Sequence, residues 1–161
     1  MMNGHTVTHR LVYNSAMFEY LQTTTAIQFF GISGCLVTAL GSLMAGLAYR
    51  GKQGQRYSPL NHFISELGEV GVSRWSWAFN LGLILSGVLL LPCIIGLGLH
   101  IPGIWSKLGM IAGCLAAVGL GLVGVFPMNN LKPHGRAATM YFRMGLLMIF
   151  LFTIAIALQK E

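Results

Sequence analysis

The chain has 161 residues, 55% hydrophobic and 9% charged, with a formal net charge of +6. A soluble domain carries about 25% charged residues, so this composition excludes an ordinary soluble globular domain. The positive charge does not indicate nucleic acid, because Arg50, Lys52, Arg56, Arg74, Lys107, Lys132 and Arg136 all flank long uncharged runs. Membrane lipids, and anionic headgroups in particular, are the simpler partner.

Residues 1–24 read as a polar N-terminal tail with His5, His9, Arg10 and Glu19. Leu11, Val12, Met17, Phe18 and Leu21 give only a ragged helical period, so a partly ordered tail is expected there. Residues 25–161 then make a single membrane domain. A hydrocarbon core of about 30 Å takes roughly 20 apolar residues of helix. Four runs meet or approach that length, at about 25–49, 77–99, 108–126 and 138–158, and the last alone carries a charge, Arg143. In lipid each backbone N–H and C=O needs a partner within the protein, so such runs are helices. Ten-residue alternating strands, the mark of a membrane barrel, are absent. The first run starts late, is longer than a signal-peptide core and has no small-x-small cleavage site, so it is expected to be a retained span. Within it, GISG at 31–34 matches the motif of intramembrane serine proteases. Ser33, however, lies a third of the way into a span, in a chain with four spans rather than six, and is expected to bond its own backbone. Cys35, Cys93 and Cys114 fall one in each of the first three spans. They read as apolar side chains rather than a disulfide framework or a metal cluster.

After the first span comes a basic turn, RGKQGQRYS, and then SPLNHFISELG at 58–68. Ser58 suits an N-cap and Pro59 a first helical position, and Gly68 suits a stop. Leu60, Phe63, Ile64 and Leu67 fall at i, i+3, i+4 and i+7, while His62, Ser65, Glu66 and Glu69 repeat that spacing on the other side. The spacing predicts a short amphipathic interfacial helix over about 59–67. In the spans, Gly41/Ala45, Gly82/Ser86 and Gly109/Gly113 are small residues four apart, the pattern that lets membrane helices approach closely. Pro92 is a kink candidate in the second span. The predicted fold is all-α, an integral membrane bundle of four transmembrane helices with the amphipathic helix after the first.

Four spans place loops 1 and 3 on one side and the termini with loop 2 on the other. The first side holds Arg50, Lys52, Arg56, Arg74, Lys132, Arg136 and Arg143, and the second Arg10, Lys107 and Lys160. The bias predicts loops 1 and 3 in the cytoplasm and the termini outside the cell membrane. It also brings FPMNNLKPHGRA, with Asn129, Asn130 and His134, to the same face as the loop 1 glutamates. The candidate polar site is therefore His62, Ser65, Glu66, Glu69, Asn80 and His134, and three readings of it stay open. His62, Glu66 and His134 are of the residue types of a catalytic zinc set, although no H-E-x-x-H motif is present and the histidines lie in different loops. The cluster is also suited to a lipid headgroup or small polar ligand. Alternatively Glu66 and Glu69 pair with Arg74, Arg136 or Arg143 and pin the loops together. A non-enzymatic membrane protein, with no cofactor, is the leading reading, and a metal-dependent hydrolase the alternative. A transporter is disfavoured because no span has a central charge or a broken half-helix pair.

SPLNHFISELGEVGVSRWSWAFNLGLILSGVLLL resembles a signature of a bacterial multi-pass membrane family known as a domain of unknown function, with an S-E-L-G loop followed by F-N-x-G at the start of a span. GVFPMNNLKPHGRAATMYF resembles its second signature, a G-x-F-P span end followed by a histidine. The wider group is similar to Frag/DRAM/Sfk-type membrane proteins. The resemblance covers about residues 30–158 and maps onto His62, Ser65, Glu66, Leu67, Gly68, Asn80, Gly82, Phe126, Pro127 and His134. It implies no particular activity. It does imply about six spans and a loop 1 outside the cell, whereas this sequence ends in LQKE after the fourth span and its charges favour loop 1 inside. A C-terminally short member, or one completed as a homodimer or in a larger membrane assembly, is expected.

Overall fold

A computed structural model describes residues 16, 17 and 19–159. The expected tail over 1–24 therefore lies mostly outside the described residues. Four helices follow: α1 (Thr24–Ala48), α2 (Ser76–His100), α3 (Ile104–Val125) and α4 (Leu131–Ala157). Each is long and apolar enough to cross a membrane, and no strand occurs among the described residues. The helix starts differ most from expectation at the polar ends. α3 begins four residues early, where the Ser106 hydroxyl lies 2.6 Å from the Ile101 carbonyl and 2.8 Å from that of Gly103. α4 begins seven residues early and takes Lys132, Pro133 and His134 into its first turn. Proline is tolerated there because the N–H it lacks would have no helical partner.

The helices pack in series. Extensive contacts join α1 to α2, α2 to α3 and α3 to α4, and no comparable contact joins α1 to α4. The row is open rather than closed, and the inner helices bury more than twice the share of residues that the outer ones do. Small residues set the seams. A Cβ on Gly41 would stand 2.6 Å from the Ala78 carbonyl oxygen and 3.3 Å from the Gly82 Cα. Along the same seam the Ser86 hydroxyl donates to the Gly34 carbonyl at 2.8 Å. Gly87 meets the Ala117 carbonyl and Gly119 the Tyr141 backbone in the same manner. Close backbone approach of this kind supplies the van der Waals contact that associates helices where lipid offers no hydrophobic gain. The predicted pairs Gly41/Ala45 and Gly82/Ser86 therefore lie on one interface.

The three-residue turn at 101–103 closes one end of α2 against α3, and Lys107 Nζ donates to the Gly98 carbonyl at 2.6 Å. Lysine there satisfies one of the carbonyls left over at the C-terminus of a helix. The other end is covered by loop 1, residues 49–75, and loop 3, residues 126–130. The segment expected to be an amphipathic helix over 59–67 folds instead as turns followed by a 3-10 turn, Ile64–Gly68. The local polar side chains compete with the helix: Asn61 Nδ2 reaches Ser58 Oγ at 3.2 Å and His62 Nδ1 meets the Ser58 N–H at 3.1 Å, while Phe63 is extended. The expected apolar face is consequently split. Leu67 points inward at 2% exposure, whereas Leu60 and Phe63 are 94% and 73% exposed.

Candidate functional site

α1 ends at Ala48, and Tyr49 is its cap residue. The Tyr49 ring is 1% exposed and packs in a cluster with Ala45, Leu67, Phe79, Leu83 and Leu120. A buried phenol needs a partner for its hydroxyl, and Tyr49 Oη donates to Glu66 Oε2 at 3.0 Å. The other carboxylate oxygen of Glu66 accepts the Phe63 N–H at 2.8 Å. One glutamate thus secures the start of the 3-10 turn and ties it to the end of α1. Burial first, then the hydrogen bond to Glu66, pushes the Tyr49 phenol up to about 12. Tyr57 and His62 complete an aromatic group around Tyr49. The Tyr49 ring meets them edge-on at 5.6 and 5.4 Å, and they stack on each other at 5.8 Å.

The far end of the turn is held as tightly. Asn80, in the second turn of α2, donates its amide to the Gly68 carbonyl at 3.0 Å. A Cβ on Gly68 would collide with the Asn80 side-chain oxygen and stand 2.9 Å from the Phe79 ring, so the turn comes this close only with glycine. Two residues on, Asn129 of loop 3 binds Val70 from both sides. The Val70 N–H donates to Asn129 Oδ1 at 2.8 Å, and Asn129 Nδ2 donates to the Val70 carbonyl at 2.9 Å. Ser65 Oγ makes only a long contact of 3.5 Å to Met128 Sδ. His134 lies in the first turn of α4, with Nδ1 2.8 Å from the Phe126 carbonyl. A carbonyl only accepts, so that nitrogen carries the proton, and the ring bridges the end of α3 to the start of α4.

Loops 1 and 3 therefore meet, as the topology required, but the contacts differ from those expected. Glu69 pairs with Lys52 at 3.2 Å, and Glu66 is engaged by Tyr49 and Phe63. No ion pair joins either glutamate to Arg74, Arg136 or Arg143 among the described residues. All three arginines are exposed. Nor do His62, Glu66 and His134 converge, and no group of three His, Cys, Asp or Glu stands close enough to hold a metal among the described residues. His62 faces Tyr49 and Tyr57, while His134 serves loop 3. Tyr49 is the central residue that the sequence did not single out, and Asn129, placed at this face by topology, was left out of the candidate site. An aromatic with a polar tip at a span end was the available signal for the first. Asn129 had none beyond its place in a polar loop.

Four antiparallel apolar helices, with their polar groups gathered at one end, define a multi-pass α-helical membrane protein. The chain belongs to the family described as "Protein of unknown function (DUF998)", whose model matches residues 32–160. That span contains every residue of the loop 1/loop 3 face from Tyr49 to His134. No curated protein and no solved structure matches the chain.

The Tyr49 bond has a pH signature. A phenol held up to about 12 in the folded protein, against 10.0 ordinarily, contributes its full stability below pH 10 and loses it as pH rises toward 12. In detergent, Tyr49→Phe is expected to lower stability by about 2 kcal/mol near neutral pH, since the bond is to a charged acceptor. The variant should also show a shallower loss between pH 10 and 12 than the parent. Parallel melting-temperature profiles in that window would contradict the assignment.

Proposed function

We propose that this is a non-enzymatic integral membrane protein whose loop 1/loop 3 face is a structural clamp. The clamp holds an open row of helices in register at the bilayer surface. One observation carries the reading: apart from the long Ser65 contact, each candidate polar group is already engaged within the chain, most of them with backbone. His62 is bound to Ser58, Glu66 to Tyr49 and Phe63, Glu69 to Lys52, Asn80 to Gly68 and His134 to Phe126. These bonds hold each side chain by a polar atom, and the remaining ring nitrogens of His62 and His134 lie on separate elements. The exposed side chains around the clamp, Leu60, Phe63, Trp75 and Trp77, suit the lipid–water boundary, where aromatic residues concentrate. The hydrolase alternative gains no support from the separated positions of His62 and His134.

The arginine and lysine excess around the clamp puts it on the cytoplasmic side in this reading. Gln53→Cys, at an exposed turn of loop 1, is expected to react with an impermeant maleimide only after cells are permeabilised. Labelling of intact cells would reverse the orientation.

The clamp reading is tested against the hydrolase by native mass spectrometry with added zinc. Equal spectra are expected for the parent and the His62→Ala/His134→Ala double variant, with neither holding a stoichiometric ion. Asn129→Ala, which removes both bonds to the exposed Val70 backbone, is expected to lower stability by about 0.5–1.5 kcal/mol, read as a drop in melting temperature. One zinc bound by the parent and lost in the double variant would overturn the clamp reading.

A further inference from the structure

Three cations of α4 have no partner in the clamp. Lys132, Arg136 and Arg143 are exposed and, together with Thr139, line one open groove of about 580 Å³ along the helix. Their spacings of four and seven residues place them on one stripe. Gly135 lies between them with no neighbour within 4 Å of its Cβ position, which leaves the groove wide at the level of Arg136. Among the described residues, the carboxylates are committed or placed elsewhere. Glu66 bonds Tyr49 and Glu69 pairs with Lys52, while Glu19 precedes α1, at the opposite end of the row.

Depth makes the stripe more than a solvated face. Counting a hydrocarbon core of about 30 Å, or roughly 20 residues, back from the apolar end of α4 reaches about position 138. Arg143 then starts some 7 Å inside the core at 1.5 Å per residue. Side chains on a helix lean toward its N-terminus, which here is the membrane edge, so Arg143 extends toward Arg136 and the headgroup layer. α4 is an outer helix that packs on α3 alone. An exposed helix face at that depth is open to lipid.

We infer that the stripe of Lys132, Arg136, Thr139 and Arg143 on α4 is a binding site for an anionic phospholipid. The phosphate lies between Arg136 and Arg143, whose guanidinium groups are suited to paired hydrogen bonds with phosphate oxygens. Lys132 meets the outer part of the headgroup, and an acyl chain runs along Met140 and Met144. The site stands apart from the clamp, because none of its cations takes part in the clamp's bonds.

The test is native mass spectrometry of the protein in mild detergent, titrated separately with phosphatidylglycerol and phosphatidylcholine. The parent is expected to retain phosphatidylglycerol in preference to phosphatidylcholine. R136Q/R143Q should weaken that binding at least tenfold, while R56Q/R74Q, which removes the same charge from loop 1, should change it less than twofold. The unliganded melting temperature of R136Q/R143Q should match the parent, whereas damage to the clamp would lower it. If the double variant fails to fold, Arg136→Gln alone is expected to weaken binding at least threefold. Equal retention of the two lipids, or equal losses in the two double variants, would overturn the site. A cross-linked dimer that R136Q/R143Q abolishes, with lipid binding unchanged, would give the stripe to a second copy instead.

Discussion

The hydrogen bond from the buried Tyr49 hydroxyl to Glu66 governs how the polar end of this protein is built. A phenol at the end of a membrane span can sit in the core only if its hydroxyl finds an acceptor, and a carboxylate beside a membrane is costly unless its oxygens are satisfied. Each group meets the other's need. Because Glu66 also takes the Phe63 N–H, the bond fixes the 3-10 turn as well as the end of α1. That turn delivers Gly68 to Asn80 and Val70 to Asn129. Four separate chain segments are thereby joined, α1 through one bond between side chains and the others through side-chain bonds to the backbone of the turn.

The need for such a joint follows from the packing. Each helix leans on its sequence neighbours, and the open row has no closing contact between α1 and α4. Small-residue seams give close approach between pairs but do little to fix the row as a whole. At one end the three-residue turn, with Lys107 and Ser106 on carbonyls at the end of α2, locks α2 to α3. At the other end the same task falls to two loops, and it is there that the few polar side chains of the chain collect. Charge is placed by the same logic: two glutamates serve the clamp, while Lys132, Arg136 and Arg143 of α4 lie outside it.

The helices were legible in the sequence because long uncharged runs have no alternative in lipid, and the glycine seams because small residues four apart mark close contact. The start of α4 was not, since LKPHGR has the composition of a loop and its proline is harmless only in a first turn. The 59–67 segment misled for a related reason. Its i, i+3, i+4, i+7 pattern is real, but over nine residues it weighs less than the side chains of Asn61 and His62 folding back on Ser58. The positions of Glu66, Gly68, Asn80 and His134 at one face could be read from topology. Their partners could not, because the obvious choice for a glutamate was an arginine, and a tyrosine counted as part of a span was the group that needed it.

A double-mutant cycle on Tyr49 and Glu66, with Tyr49→Phe, Glu66→Gln and the pair measured by reversible unfolding in detergent, tests whether this bond holds the polar end together. A bond between a buried hydroxyl and a carboxylate predicts that the two losses are not additive, with a coupling of about 1–2 kcal/mol. Additive losses, with coupling near zero, would mean that Tyr49 and Glu66 act separately and that the clamp is not built around their bond.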